Sequence, residues 1–389
     1  MDFIPLSIPC FEGNEKKYVD DALEQGWVST GGAYITRLEK ELSEYLFVPS
    51  VAACQSGTSA IHMSLIECGV RPGDTVIVPS LTFIAAVNPV SYQFANPVFM
   101  DCDDSLCMDP AKLRAFCEEE CDFDEGVLKY NGSAVKAVVV VHVFGNMADM
   151  ESIMDTAEAY NLKVIEDATE ALGTRYIEGR YAGRFAGTIG DFGCYSFNGN
   201  KIITTGGGGA VTSRDPSGAD HIRFLSTQAK TDPLFYLHDE IGYNYRMTNL
   251  QAALGVAQLE ELETFIERKE RNYKLYSELL SGFEYGSLLS FRKNTRSNRW
   301  LYGLKLDMDK ISKSVRDIVL ALQDRKIQTR PIWGLINEQT PYRNCPVYKP
   351  EKAEYYAERI LNIPSGVQLT GEEIKYVVKA LSDVLSDSK

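Results

Sequence analysis

The chain has 389 residues, and its 44% hydrophobic and 24% charged content is that of an ordinary globular protein. Its length exceeds what one small core needs and predicts one large and one smaller domain. The formal net charge of −14 argues against nucleic acid or an anionic membrane as the main partner.

The N-terminal residues do not read as a targeting segment. They lack the basic start and the long apolar core of a signal peptide, and no apolar run approaches the ~20 residues of a spanning helix. Nine cysteines are scattered along the chain without a C-x-x-C pair. Cys102 and Cys107 have no partner histidine, so they are a poor ligand set for a metal. We therefore expect reduced thiols, no metal and a cytoplasmic protein.

The first elements are two helices and a small-residue turn. Residues 15–25 predict an amphipathic helix, and a loop at 26–32 separates it from a second helix at 34–45. The turn at 55–59 then opens a helical pattern at 60–68. Because a helix N-terminus presents backbone N–H groups, this turn is either an anion site or an ordinary Ser/Thr cap.

Strand patterns recur between helical patterns through the first half of the chain. We predict strands near residues 51, 76, 98, 138, 164 and 194, with helices between most of them. This alternation indicates the α/β class with a mainly parallel sheet. The β-branched run at 135–143 is typical of a strand buried on both faces. His142 lies within it, and we interpret this histidine as structural.

Two polar residues stand out at strand ends. An apolar run ends at Asp167, where functional residues of open α/β sheets collect. Lys201 follows 34 residues later, between an aromatic strand at 192–197 and the glycine run 206–209. Strand propensity on both flanks predicts that Lys201 sits on a turn held by a sheet. An aspartate and a lysine in these places suit pyridoxal phosphate, since the lysine forms a Schiff base and the aspartate holds the pyridinium proton.

The second half of the chain changes character near residue 265. A long charged helix is predicted at 265–280, followed by a strand at 300–306 and helices at 315–325 and 372–385. We place the domain boundary there. The N-terminal arm and large cofactor-binding domain then cover 1–265, and a smaller α+β domain covers 266–389.

Taken together, these motifs resemble the DegT/DnrJ/StrS family of sugar aminotransferases over nearly the whole chain. The motifs that carry the resemblance are Ser56-Gly57-Thr58-Ser59-Ala60, Pro79-Ser80-Leu81-Thr82-Phe83, Glu166-Asp167-Ala168, Ser196-Phe197 with Lys201, and Gly242-Tyr243-Asn244-Tyr245-Arg246-Met247. The resemblance implies the aspartate-aminotransferase fold, which is fold type I, and pyridoxal 5'-phosphate as the cofactor.

The resemblance also implies the contacts of the cofactor ring. Lys201 carries the cofactor and then shuttles the proton, while Asp167 pairs with the ring nitrogen. Phe83 stacks on the ring face. Glu170 lies near the phenolic oxygen, where relatives more often carry Gln or His, and a glutamate there needs a proton.

The phosphate contacts and the assembly follow from the same likeness. Gly57, Thr58 and Ser196 hold the cofactor phosphate. The segment at 242–247 crosses to a second subunit, so Asn244 reaches the neighbour's phosphate and the active unit is a homodimer with shared sites. The alternation of Asn244 and Arg246 with Tyr243 and Tyr245 predicts an exposed polar pair on an aromatic ribbon, and the alternative to the crossing is a local turn.

The substrate expectations rest on the resemblance alone. Ser29, Thr30, Arg246 and Arg330 are the candidate substrate residues, although segment 329–333 departs from the pattern of many relatives. The string 196–205 looks like the branch acting on UDP-linked 4-keto-6-deoxy-N-acetylhexosamines, of the bacillosamine and legionaminic acid routes, with glutamate as donor. A dTDP- or GDP-linked sugar is the alternative. A regulatory protein without catalysis also stays open, and a dehydratase is disfavoured because it has histidine in place of Lys201.

Overall fold

The computed structural model describes residues 2–232 and 234–386. Its helices are α1 (Glu15–Glu24), α2 (Ala33–Leu46), α3 (Gly57–Glu67), α4 (Asn88–Tyr92), α5 (Pro110–Glu119), α6 (Met150–Ala159), α7 (Pro216–Ser226), α8 (Asn249–Glu260), α9 (Leu262–Leu279), α10 (Val315–Asp324), α11 (Glu351–Ala357) and α12 (Gly371–Ser386). The strands of the first half are β1 (Val51–Cys54), β2 (Thr75–Pro79), β3 (Asn96–Met100), β4 (Asp122–Asp124), β5 (Val127–Tyr130), β6 (Ser133–Val141), β7 (Lys163–Asp167), β8 (Arg175–Tyr176), β9 (Phe192–Ser196) and β10 (Gly209–Ser213). Those of the second half are β11 (Lys230–Asp232), β12 (Leu237–His238), β13 (Gly286–Leu288), β14 (Thr295–Arg296), β15 (Tyr302–Leu306), β16 (Arg330–Pro331), β17 (Val347–Tyr348) and β18 (Ile360–Ile363).

A large mixed sheet forms the centre of the molecule. Its strand order is β1-β10-β9-β7-β6-β2-β3-β17, and the β4–β5 hairpin joins it through β6. The strands from β9 to β17 run parallel, whereas β10 is antiparallel to both of its neighbours. The predicted α/β class with a mainly parallel sheet is confirmed, and so are the strands predicted near residues 51, 76, 98, 138, 164 and 194.

Helices cover both faces of this sheet because its strands are apolar on both sides. Val76 and Val78 pack with α3, α4 and α7 on one face. Ile77 points to the other face and packs with residues of α2, α5, α6 and α8. This alternation along one strand is the two-residue period of β structure, and burial on both faces explains the continuous apolar runs seen in the sequence.

A second sheet of four strands, in the order β13-β15-β18-β16, lies in the C-terminal part of the chain. It shares an apolar cluster with α9, α10 and α12, in which Tyr276, Tyr302 and Leu381 are fully buried. The boundary predicted between residues 265 and 266 falls inside α9, and the two-domain division stays a prediction. Within the described residues, no helix has both the length and the apolar character needed to cross a membrane.

The prediction of strand structure on both sides of Lys201 is correct only on the N-terminal side. β9 ends at Ser196, but residues 202–208 are irregular and β10 begins at Gly209. Thr204 explains the difference. Its N–H donates to Gln258 Oε1 at 3.2 Å, and its hydroxyl donates to Phe197 O at 3.1 Å and accepts from Gly206 N at 2.9 Å. Side chains therefore satisfy this backbone in place of a strand ladder.

Candidate active site

A cavity of about 340 Å³ opens at the carboxyl ends of the central parallel strands. β1, β2, β7 and β9 all deliver residues to it from the turns that follow them. The residues that line it are Gln55, Ser56, Gly57, Thr58, Ile61, Thr82, Phe83, Ala85, Ala86, Asp167, Thr169, Glu170, Ser196, Asn198, Asn200, Lys201, Gly207, Gly208, Trp300 and Trp333. The structure thus brings together seven predicted site residues: Gly57, Thr58, Phe83, Asp167, Glu170, Ser196 and Lys201.

One wall of the cavity is the N-terminus of α3. Ser56 caps this helix, because its hydroxyl accepts the N–H of Ser59 at 3.0 Å while Ser59 Oγ accepts the N–H of Ser56 at 3.1 Å. The N–H groups of Gly57 and Thr58 belong to the first turn, which has no acceptor within the helix. A Cβ at position 57 would lie 2.8 Å from Thr169 Cγ2, so the close approach of this turn requires glycine. The wall is suited to an anion.

Asp167 ends β7 at the floor of the cavity and is only 4% exposed. Burial raises the pKa of its carboxyl, while hydrogen bonds from Thr169 and the charge of Lys201 lower it. The N–H of Thr169 donates to Oδ1 at 3.0 Å, which fixes the carboxyl group in the cavity. A buried carboxylate in this position favours a cationic partner group.

Glu170 is a second buried carboxyl, and its side chain is 3% exposed. Burial raises its pKa to about 7, against the opposing effects of Lys201 and a backbone hydrogen bond. That bond comes from Phe144 N to Oε2 at 2.7 Å. Phe144 has a φ of 58°, a left-handed conformation that few residues other than glycine adopt, and such strain is concentrated at functional sites. Because Oε2 accepts the Phe144 N–H and the pKa is about 7, Glu170 can hold a proton on Oε1 near neutral pH.

Lys201 reaches the cavity from a turn in which its N–H donates to Asn198 O at 3.0 Å. Its Nζ lies 4.0 Å from Glu170 Oε1 and 4.3 Å from the centre of the Trp300 ring. Burial lowers the pKa of the amine, and the carboxylates of Glu170 and Asp167 oppose that shift. A lysine with a lowered pKa has more of the free amine at neutral pH, which is the nucleophilic form.

The glycines after Lys201 complete the cavity wall. Gly207 and Gly208 both line it. Gly208 has a φ of +136°, and a Cβ there would lie 2.3 Å from Thr205 Oγ1. Positive φ and the close approach of Thr205 therefore both require glycine at position 208.

His142 belongs to a buried network beneath the cavity. Its Nε2 lies 2.9 Å from Glu166 Oε2, and its Nδ1 accepts the N–H of Ala148 at 3.1 Å. Glu166 also accepts backbone N–H groups of Gly187, Ile189 and Gly190. Burial would raise the pKa of Glu166, but these hydrogen bonds and His142 hold it below its usual value. His142 thus has two structural partners, as predicted.

Two tryptophans in the cavity wall were not predicted. Trp300 was interpreted as the start of a strand, but β15 begins at Tyr302 and the Trp300 ring faces Lys201. Trp333 follows β16 and lies 5.2 Å, ring to ring, from Phe144. The chain has three tryptophans, and two of them line this one cavity. Their rarity is the signal that the sequence offered.

Five predicted site residues are not among those that line the cavity of this chain. Ser29, Thr30, Asn244 and Arg330 are exposed. The expectation that Arg246 is exposed is wrong, since it is only 7% exposed and forms an ion pair with Glu39. Its guanidinium also donates to Ala53 O at 3.1 Å. Arg246 therefore binds Glu39 and the backbone of β1, so its guanidinium is not available to a substrate in this cavity.

Comparisons with known proteins show which family this chain belongs to. The DegT/DnrJ/EryC1/StrS aminotransferase family matches residues 9–382. The putative pyridoxal phosphate-dependent aminotransferase EpsN of Bacillus subtilis is 37% identical, over 97% of this chain and 95% of its own. A GDP-perosamine synthase of Caulobacter vibrioides is 35% identical over 98% of each chain. The crystal structure of a DegT DnrJ EryC1 StrS aminotransferase from Brucella abortus superimposes with a TM-score of 0.85 at 28% identity, covering 96% of this chain and 95% of that one.

Proposed function

Since the chain belongs to the DegT/DnrJ/EryC1/StrS family of pyridoxal phosphate-dependent sugar aminotransferases, we propose that it moves an amino group from glutamate to the 4-keto group of a nucleotide-linked deoxy sugar. The observation that carries the proposal is a buried lysine of lowered pKa that shares one cavity with two buried carboxyls and a helix N-terminus. That combination matches the needs of amino-group transfer better than those of a regulatory protein, which needs no such set.

The residues of the cavity fit pyridoxal phosphate. The N-terminus of α3 at Gly57 and Thr58 suits the phosphate, and the Asp167 carboxyl on the floor suits the ring nitrogen. Phe83, which is 54% exposed at the mouth, supplies an aromatic face. When bound, the cofactor supplies the electron withdrawal that lets a proton leave the carbon bearing the amino group.

The chain's own residues supply the proton chemistry. Lys201 is the group that takes a proton and returns it, because its lowered pKa gives it more free amine than an exposed lysine has. Asp167 stabilises positive charge at the floor. Glu170 holds a proton on Oε1, since Oε2 is engaged by Phe144 N. A protonated Glu170 donates a hydrogen bond and does not repel an anionic oxygen.

The nucleotide of the substrate is the finer part of the proposal. The string 196–205 favours a UDP-linked 4-keto-6-deoxy-N-acetylhexosamine by its resemblance. The relative named GDP-perosamine synthase, 35% identical over almost the whole chain, supports a GDP-linked 4-keto-6-deoxy sugar at least as well. We therefore propose the 4-keto-6-deoxy sugar as the shared feature, with GDP and UDP as the two candidate nucleotides.

A second copy of the chain is the proposed partner. Among the described residues that line the cavity, Lys201 is the only basic one, so the diphosphate of a nucleotide needs cations from elsewhere. The hairpin around β11 and β12 also leaves a cluster of large apolar side chains 57–84% exposed: Leu234, Phe235, Tyr236, Leu237 and Ile241. An apolar cluster of this kind marks an interaction surface. This apolar cluster is followed closely in the chain by Asn244. We propose that in a homodimer the cluster and Asn244 together lie against the neighbour's cavity.

The test of the function is a half-reaction. We expect glutamate to convert the purified holoenzyme from its pyridoxal to its pyridoxamine absorbance, and a keto-sugar nucleotide to restore the first spectrum. GDP- and UDP-linked 4-keto-6-deoxy sugars should be compared at equal concentration, with dTDP-linked sugar as a third arm. Restoration by one nucleotide identifies the substrate class. A holoenzyme that no keto sugar restores, although glutamate converts it, contradicts the sugar substrate.

The test of the homodimer combines two variants that each damage a different part of the proposed shared site. Lys201→Ala and Asn244→Ala, carried on differently tagged chains, place both defects in one shared site and none in the other. Heterodimers purified through both tags should regain activity approaching half that of the wild type. If Asn244→Ala is inactive alone and the heterodimer regains nothing, Asn244 serves its own subunit.

A further inference from the structure

Trp300 contacts Lys201 in two independent ways. The face of its ring lies 4.3 Å from Lys201 Nζ. Its indole N–H donates to the carbonyl of Asn200, the residue before Lys201, at 2.7 Å. One side chain therefore touches the reactive amine and also fixes the peptide that carries it.

The backbone of Trp300 is itself held at both ends. Its N–H donates to Asn298 Oδ1 at 3.0 Å, and its carbonyl accepts from Lys269 Nζ at 2.9 Å and from Ser365 Oγ at 3.3 Å. All these partners are at most 1% exposed, as is appropriate for a rigid support. The backbone of Trp300 is consequently placed by Asn298, by Lys269 of α9 and by Ser365 of the segment after β18, not by Lys201.

The same support reaches the carboxyl that faces Lys201. The side-chain amide of Asn298 donates to the carbonyls of Glu170 and Leu172, each at 2.9 Å. Asn298 thus ties Trp300 and Glu170 to one frame. Lys201 Nζ lies between them, 4.0 Å from the Glu170 carboxyl and 4.3 Å from the ring.

We propose that Trp300 is a positioning residue that holds the Lys201 amine beside Glu170 when the amine is not bonded to the cofactor. The inference rests on the proposed role of Lys201. A free lysine side chain loses rotamer entropy when it is held in one place, so a contact that holds it must offset that loss. The ring face attracts the charged amine, and the indole N–H keeps the turn at Asn200 from moving. Amino-group transfer releases Lys201 once in every cycle, so its resting position decides whether it returns.

The experiment compares two ring replacements of similar size at each tryptophan. Trp300→Phe keeps an aromatic face and loses the indole N–H, whereas Trp300→Leu loses both. Trp333→Phe and Trp333→Leu are the matched controls, because Trp333 lines the same cavity and its ring contact is with Phe144. Both substitutions at each position alter the cavity volume similarly, so their difference isolates the aromatic face.

The readout is the reactivity of Lys201 in the cofactor-free protein. Pulse acetylation across a pH range, quantified by mass spectrometry, gives the Lys201 pKa without any need for turnover. We expect a pKa lower by about 0.5–1 pH unit in Trp300→Leu than in Trp300→Phe, because a cation–π contact favours the charged amine. The two Trp333 variants should not differ. An equal pKa in the two Trp300 variants, or an equal difference at Trp333, overturns the proposal.

Hydrogen exchange tests the contact to Asn200. Loss of the indole N–H in Trp300→Phe should speed exchange of the Lys201 amide relative to Trp333→Phe, since the turn loses its anchor. An unchanged exchange rate of the Lys201 amide would show that the contact between the indole N–H and Asn200 does not restrain the turn, and it would overturn this part of the proposal. These measurements are independent of the half-reaction, so a failed sugar substrate does not hide their outcome. If the wild type transfers amino groups and the Trp300 effects are absent, the inference alone fails.

Discussion

Lys201 and Lys269 are both buried lysines, and burial lowers the pKa of each, yet their surroundings differ. Lys201 lies at a cavity wall, 4.0 Å from the carboxyl of Glu170, and its side chain keeps 13% exposure. Lys269 on α9 is 1% exposed and donates to the carbonyls of Trp300 and Ser365. One amine faces open space with ionisable neighbours, and the other is used as a hydrogen-bond donor in a packed interior.

The comparison shows that a lowered pKa does not by itself identify a reactive lysine. Burial lowers the pKa of Lys269 to about 7, with no carboxylate to oppose it. Such a lysine has free amine at neutral pH but has no space beside it for a substrate. For Lys201, two carboxyls, a helix N-terminus and a cavity of about 340 Å³ supply what Lys269 lacks. The four predictions below separate these two environments.

The largest effect is expected from Lys201→Ala. Removing the amine should reduce amino transfer at least about 10³-fold, because both covalent attachment and proton transfer depend on it. The thermal unfolding midpoint should stay near that of the wild type, because the substitution removes an amine whose burial is unfavourable and does not remove a large apolar group. Borohydride reduction of the wild type followed by peptide mapping should label Lys201. Labelling at Lys269 would reverse the comparison.

Asp167→Asn should have the next largest effect. The amide keeps the size and the hydrogen bond from Thr169, but it cannot balance a cationic ring nitrogen. We expect kcat to fall about 10²–10³-fold, as for other lost electrostatic contacts at reacting groups, while the cofactor stays bound through the phosphate site. The measurement is steady-state kinetics beside a cofactor titration. A near wild-type rate would remove Asp167 from the mechanism.

Glu170→Gln should change the pH profile more than the maximal rate. Burial raises the pKa of Glu170 to about 7, so the proton on Oε1 is lost as pH rises through 7. At pH 8 about a tenth of the protein retains it, so the wild-type rate should be about tenfold below its plateau. Glutamine keeps a donor at every pH and can still accept from Phe144 N. The variant should therefore lose this alkaline decline, and a persisting decline would assign it to another group.

The parts that the sequence predicted are those set by local pattern. Asp167 was found because a buried parallel strand has to end, and polar residues at that end meet at one edge of the sheet. A small-residue turn before a helical pattern marked the position of Gly57 and Thr58, and the family resemblance chose an anion site over an ordinary helix cap there. Both signals lie within about ten residues of the side chain concerned. The fold class followed from the same alternation of strands and helices.

The parts that the sequence did not predict depend on distant partners. Trp300 reaches Asn200 across 100 residues, and Arg246 pairs with Glu39 across 207 residues. A local pattern cannot reveal either contact. The strand expected after Lys201 failed for a similar reason, since Gln258, 54 residues away, accepts the Thr204 N–H that a strand ladder would have used. Long-range hydrogen bonds override local propensity at these points.

Lys269→Met should have the smallest effect on activity. We expect a rate within roughly threefold of the wild type, which is less than 1 kcal/mol in the barrier, because Trp300 O retains its contact from Ser365 Oγ at 3.3 Å.

The difference between Lys269→Met and the wild type should appear in stability. The folded pKa of Lys269, about 7, lies below the usual 10.5, so the unfolded chain binds a proton that the folded protein does not between these values. Wild-type stability relative to the variant should therefore rise from pH 7 to pH 9 and be lost as pH falls toward 7. Unfolding midpoints of both proteins at these two pH values measure it. A tenfold or greater loss of rate in Lys269→Met would instead show that activity depends on this lysine, and the two environments would no longer differ in function.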